Sequence, residues 1–433
     1  MFNKSALLLA VTLALSVAAT PSTSAPAVES KRSIPLPKRA SLTLPNGVFN
    51  KDRVIAETVK TINKHRNNLI NLKNNKGLED FNPGAHIREP ATLPADVEAR
   101  ILEKRQSEKL TDEDSDEEWA GTISIGTPAQ KVPDRLRQCT AGSSDLWIPS
   151  SSCTSSTCSS KSKFKISSSS TATKKSGTFT IEYQDKSTVS GPIYTDTVSV
   201  AGVSAKGQYF SPVTTLSSSF ANDPIDGILG LAFPAISNIG ENPFFVTAAN
   251  AGTFDANQFG FYLASSGSTL YLGGTDESKY SGDIEYVPVD SSNGFWQAQG
   301  AKLKVGSSTV LTGIDTIIDS GTTLAYGPSA TIKKVYAKVP GSKLFDSENG
   351  LYSFPCNSVP EISFNYGGND WTISADNFNL GQTEEGSSDC VGALGVTDLG
   401  LGNSVLLLGD AFMKNTYTVF DFDQTAVGFA ELA

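Results

Sequence analysis

Histidine is nearly missing from this chain. Its 433 residues contain two, His65 and His86, and both precede the dibasic pair Lys104-Arg105. A protein processed at that pair would hold none, which excludes Ser-His-Asp and Cys-His catalysis and histidine-based metal sites. Charge is also sparse, at 18% of residues, and the net balance is -10. Phosphate binding needs a basic surface, so nucleic acid is not an expected partner. No apolar run reaches the ~18 residues of a membrane-crossing helix, so no transmembrane segment is expected. The five cysteines have no histidine-like neighbours and make a poor zinc site, so no metal is expected.

What is present divides into unlike parts. Lys4 followed by the short apolar run Ala6 to Ala19 reads as a secretory signal over residues 1–20. Residues 21–105 carry 15 basic against 9 acidic side chains, a balance of +6. Residues 106–433 carry 19 against 36, a balance of -17. A basic segment ending in Glu103-Lys104-Arg105 reads as a leader removed by processing. It contains a helix-compatible stretch, Arg53 to Leu72.

Beyond the acidic run Asp112 to Glu118 the pattern turns to short strands and tight turns. Thr122-Ile123-Ser124-Ile125 alternates at period two before Gly126-Thr127-Pro128. The same style returns at Phe179 to Tyr183, Tyr286 to Val289 and Thr416 to Phe422. Helical candidates are few: Pro243 to Ala251, Ser329 to Val339 and Asp410 to Lys414. An all-β protein with a few short helices and room for two lobes is expected. Cys153 and Cys158 bracket a four-residue loop, Cys356 and Cys390 could close a longer one, and Cys139 is left over.

With histidine excluded, carboxylates are the natural acid–base groups. Thr316-Ile317-Ile318-Asp319-Ser320-Gly321-Thr322-Thr323 brings an aspartate out of a buried strand into a turn rich in donors, which favour its ionised form. A second carboxylate beside it would share one proton with it, one group acting as base on water and the other as acid. Alone, Asp319-Ser320-Gly321-Thr322 reads better as an ordinary turn between strands.

The wider pattern resembles the pepsin-like aspartic proteases. Asp319 to Thr323 is similar to that family's second active-site motif, and Ile125 to Gln130 to its entry strand and turn. Gly142 to Trp147 is similar to the segment after the first catalytic aspartate. Asp226 to Leu231 and Leu406 to Asp410 are similar to the segments supporting the two catalytic loops. The resemblance implies a bilobal acid-protease fold with an N-terminal prosegment: a lobe with a flap over residues 106–295 and a second lobe over 296–433. It implies Asp319 as catalytic, Tyr183 as the flap tyrosine, and Ser143 and Thr322 as hydrogen-bonding supports. It also implies disulfides Cys153–Cys158 and Cys356–Cys390, protein or peptide substrates, no cofactor, and a monomer in the extracellular space or vacuolar lumen. The basic segment 21–105 becomes a propeptide lying across the acidic body, with Lys73 and Lys76 as candidates to reach the catalytic centre.

One landmark fails. Counting back from Gly142, the first catalytic aspartate should stand at Thr140, and about three residues are surplus between Val132 and Gly142. Neither Asp134 nor Asp145 precedes a glycine by two. In one reading the chain is a pepsin-shaped protein that binds peptide or protein without cleaving it. In the other, the coding sequence of an active endopeptidase reads differently here. Arg135-Leu136-Arg137-Gln138 written CGA-CTT-CGA-CAA and read one base later encodes Asp-Phe-Asp. Two arginines in a strand that should be buried, and an odd cysteine, favour this second reading.

Overall fold

A computed structural model describes residues 32–36, 41–107, 120–139, 142–182, 188–220 and 225–433, with backbone only at 102–107, 120–122, 132–139 and 219. The expected signal segment, the expected flap tip with Tyr183, and Thr140 and Ala141 lie outside the described residues.

Strand β1 (Ser33–Leu36) precedes two helices, α1 (Lys51–Lys76) and α2 (Ala95–Ser107). The Asn50 side chain caps α1 by accepting from Arg53 N–H, and Gly77 ends it at φ +98°, where a β-carbon is disfavoured. Val54, Val59, Ile62, His65, Leu69 and Leu72 recur every three to five positions and are buried, one apolar face of the helix. Helix α1 runs beyond the expected Arg53 to Leu72, and α2, which was not expected, contains Lys104-Arg105. Arg100 of α2 pairs with Asp52 of α1 at 2.9 Å over a small cluster of Ile55, Val59 and Val97.

The rest is strands. β2 (Ala120–Ile125), β3 (Gln130–Cys139), β4 (Leu146–Pro149), β5 (Thr173–Glu182), β6 (Thr188–Val200), β7 (Val203–Val213) and β8 (Gly227–Gly230) make a seven-stranded sheet. A thirteen-stranded sheet contains β9 (Gln258–Tyr262), β10 (Ser268–Leu272), β11 (Tyr280–Asp290), β12 (Gln297–Val305) and β13 (Ser308–Ile318), with β1 at its edge against β10. This is the expected all-β, two-lobed architecture. The expected short helices form at Phe244–Asn250, Ser329–Tyr336 and Asp410–Met413.

Each lobe repeats one device. β13 runs parallel to Val405–Leu408, with Ile318 level with Leu408; the chain then loops and returns along the other side, Ala325 opposite Leu408. In the first lobe β3 runs parallel to β8, with Gln138 level with Leu229, and returns as Leu146 opposite Leu229. Ile318, Leu407 and Leu408 are fully buried, each stabilising by about 1.5–3 kcal/mol.

The repeat exposes where the surplus residues go. Between Val132 and Leu136 the chain takes four steps while its partner takes two, from Ile123 to Gly121, so a bulge in this interval absorbs two. From Gln138 to Leu146 it takes eight steps against seven from Ile318 to Ala325, so the loop absorbs one more. Strand register therefore puts Cys139, not Thr140, level with Asp319, while counting back from the returning strand puts Thr140 there.

Candidate active site

Asp319 leaves β13 fully buried, its N–H donating to Leu408 O at 2.9 Å. The turn that follows folds its donors back on the carboxylate. Gly321 N–H reaches Oδ1 at 2.9 Å and the Thr322 hydroxyl reaches Oδ2 at 2.7 Å. Leu324 O accepts from Gly409 N–H at 3.1 Å, and a β-carbon at Gly409 would lie 2.2 Å from Thr322 O. Only glycine lets the supporting strand come so close.

Into this loop comes α1. The Lys64 ammonium lies 2.5 Å from Asp319 Oδ2 and donates also to Gly321 O at 2.9 Å and Thr322 Oγ1 at 3.0 Å. A β-carbon at Gly142 would stand 2.6 Å from Lys64 Nζ, so the ammonium touches the loops of both lobes. Lys73 and Lys76, the candidates from composition, are exposed in the last turn of α1. Lys73 is nine residues past Lys64, about 13 Å along the axis, which carries it beyond the centre.

Burial alone would push the Asp319 carboxyl up. Lys64, with help from the Thr322 hydroxyl, outweighs it and holds the group well below the usual carboxylate range. His65 is also fully buried, 3.8 Å from Asp319 Oδ2 and 5.7 Å from the Phe295 ring. Neither ring nitrogen has a hydrogen-bond partner. Burial first, then the Lys64 ammonium, push its imidazole down to about 3 against the pull of Asp319.

The rest of α1 is tied down on both sides. Thr58 Oγ1 and Tyr326 Oη are 2.9 Å apart; Asn67 donates to Glu182 O, at the end of β5, at 3.1 Å. Asn71 donates to Ile236 O at 3.1 Å, and Asn75 to Ala235 O and Ser237 O at 3.0 and 2.8 Å.

In the first lobe, Ser143 Oγ accepts from Asp145 N–H at 3.4 Å, so its described contact is within its own loop, whereas Thr322 binds the carboxylate directly. The buried Asp145 carboxylate takes Ser237 Oγ at 2.7 Å, Asn238 N–H at 2.8 Å and Ile239 N–H at 3.1 Å. Burial outweighs these donors and raises its pKa. These contacts commit Asp145 to the 237–239 turn. Cys153–Cys158 and Cys356–Cys390 are bonded as expected. Among the described residues no cluster of histidine, cysteine and acidic side chains could hold a metal ion.

Sequence reasoning missed Lys64 and His65 as site residues. The available signal was their place mid-face in an amphipathic helix.

Comparison with known proteins gives the same picture. A family model described as eukaryotic aspartyl protease matches residues 118–432. The chain is 39% identical to an aspartic protease of Phaffia rhodozyma, over 77% of this chain and 81% of the relative. It is 34% identical to major aspartyl peptidase 1 of Cryptococcus neoformans var. grubii, over 75% and 70%. Pepsin A of Sus scrofa is 35% identical over 85% of this chain and 93% of its own length.

Proposed function

The chain belongs to the eukaryotic aspartyl protease family, and from that premise we propose that it is the zymogen of a secreted aspartic endopeptidase cutting peptide bonds at acid pH. Residues 1–20 are the signal, 21–105 the propeptide, 106–295 the lobe with the flap and 296–433 the second lobe. The product acts outside the cell or in the vacuolar lumen, as a monomer and without a cofactor.

The observation that carries the reading is the Lys64–Asp319 contact. A cation delivered by the basic leader neutralises the one carboxylate whose loop matches the family's motif, and α1 fills the ground between both loops. Once the leader departs, Asp319 is released to share a proton with a partner carboxylate at the Thr140 level. One group takes a proton from water while the other protonates the leaving amine. Gly321 N–H and the Thr322 hydroxyl keep Asp319 aimed, and Tyr183 closes over the peptide. The partner carboxylate requires that the active protein read Asp-Phe-Asp before Thr-Gly, as the shifted frame does.

A second reading rests on the register at Cys139 and the commitment of Asp145 elsewhere: the chain as it stands binds peptides without cleaving them. Expression of this chain decides between them. At about pH 3–5, where one carboxyl of a close pair is protonated, it should not cleave an acid-denatured protein. A form with three residues fewer and Asp two before Gly142 should, with block by pepstatin. Cleavage by the unaltered chain sinks the requirement for the pair; failure of the repaired form sinks the endopeptidase reading.

A further inference from the structure

Asn82 lies between α1 and α2, before Pro83-Gly84, and its carboxamide uses all four of its hydrogen-bonding capacities on Asn293, Gln297 and Leu401. Its Nδ2 donates to Gln297 Oε1 and to Leu401 O, both at 2.9 Å. Its Oδ1 accepts from Gln297 Nε2 at 3.0 Å and from Asn293 Nδ2 at 3.5 Å. Asn82 and Gln297 thus exchange two bonds head to head.

Groups of fixed polarity orient every amide in this cluster. The Leu401 carbonyl only accepts, which fixes the NH2 of Asn82. Phe295 N–H donates to Asn293 Oδ1 at 3.0 Å, turning the other end of Asn293 to donate to Gln297 Oε1 at 2.8 Å. Asp315 Oδ2 accepts from Gln297 Nε2 at 3.3 Å. Asn293 and Gln297 are each 1% exposed, so the pocket is built of buried, pre-aimed groups. Gly402 opens room for the ligand: a β-carbon there would stand 3.0 Å from Asn82 Cβ. The pocket adjoins the candidate centre, since Phe295 packs on His65 and Gln297 pairs with Ile317, two residues before Asp319.

We infer that Asn293, Gln297 and the Leu401 carbonyl form a carboxamide-recognising pocket that selects an asparagine side chain: Asn82 of this chain before processing, and an asparagine of a bound peptide afterwards. The second half rests on the reading of the chain as an endopeptidase zymogen. Aspartate in the pocket sets a second acceptor against Gln297 Oε1 and Leu401 O. Leucine leaves two buried amides unpaired, and glutamine is one methylene too long. Each mismatch weakens binding by about tenfold.

The test uses the full chain. Asn82→Gly leaves a void the size of acetamide, so acetamide should restore amide-exchange protection at 293–297 and raise the thermal midpoint, whereas acetate should do neither. Asn82→Asp, which keeps the volume, should loosen residues 82–86 more than Asn82→Ala. Equal rescue by acetamide and acetate, or none, overturns the pocket. For the peptide half, the processed form with Asp restored two before Gly142 digests a denatured protein mixture, and asparagine should be enriched at one fixed distance from the cut. Gln297→Leu should abolish that enrichment. Cleavage without enrichment overturns peptide selection. No cleavage at all sinks the endopeptidase reading instead, and the acetamide result still decides the pocket.

Discussion

His65 lies 3.8 Å from Asp319 Oδ2 with both ring nitrogens unbonded, fully buried beside the Phe295 ring. A free segment would hold this imidazole near the ordinary 6.5, whereas docking pushes it to about 3. The docked state therefore binds fewer protons, and its stability falls as pH drops from 6.5 toward 3. The loss is about 1.4 kcal/mol per pH unit at most. The charged groups facing His65 are Lys64, which opposes protonation, and Asp319, which favours it. His65→Leu should shift the midpoint of leader release, followed by limited proteolysis against pH, down by about one unit or more. An unmoved midpoint refutes His65 as the acid-sensitive element.

Lys64 has the opposite sign. The Asp319 value is depressed by docking, so the pair stabilises the docked state above the usual carboxylate range and is lost only as pH falls through that depressed value. The pair therefore holds across the mildly acid range and does not trigger release there. Lys64→Gln leaves Asp319 buried without its cation, at a cost of about 3–5 kcal/mol. Leader release near neutral pH is expected, read as protease sensitivity of α1. A variant as resistant as the parent at neutral pH contradicts this.

Asp145 makes the body itself prefer acid. Its pKa is raised by burial, so folding stability falls as pH rises from the ordinary carboxylate range through the raised value. Asp145→Asn removes that titration. Its thermal midpoint should vary less between mildly acid and neutral pH than that of the parent. The 237–239 turn should loosen as well, because Asn238 N–H loses its acceptor.

The longer disulfide is the more valuable of the two. Cys356–Cys390 joins residues 34 apart, against 5 for Cys153–Cys158. Loop-closure entropy assigns it about 4 kcal/mol, against about 2 for the short one. Serine pairs at each site, compared by denaturant midpoint, should rank in that order.

Much of the fold was legible because it is written locally. Period-two alternation marked the strands, and Ile317-Ile318-Asp319-Ser320-Gly321 marked a buried strand ending in a donor-rich turn. Docking was not legible. Lys64, Lys73 and Lys76 are chemically alike; only the packing of Val54, Leu69 and Leu72 against the body decides which reaches Asp319. Asn82 reads as part of an Asn-Pro-Gly turn, and its partner Gln297 is 215 residues away. Helix α2 was hidden by its charged composition at what looked like a linker. The register at Cys139 could not be read at all, because it depends on a bulge opposite β2.

That bulge has a practical consequence. Three additional residues are taken up without disturbing the pairing of Leu146 with Leu229, so the lobe closes as its counterpart does. Far-ultraviolet dichroism and antibody recognition report on shape, and neither would distinguish this chain from a working relative. Turnover alone is sensitive to the difference.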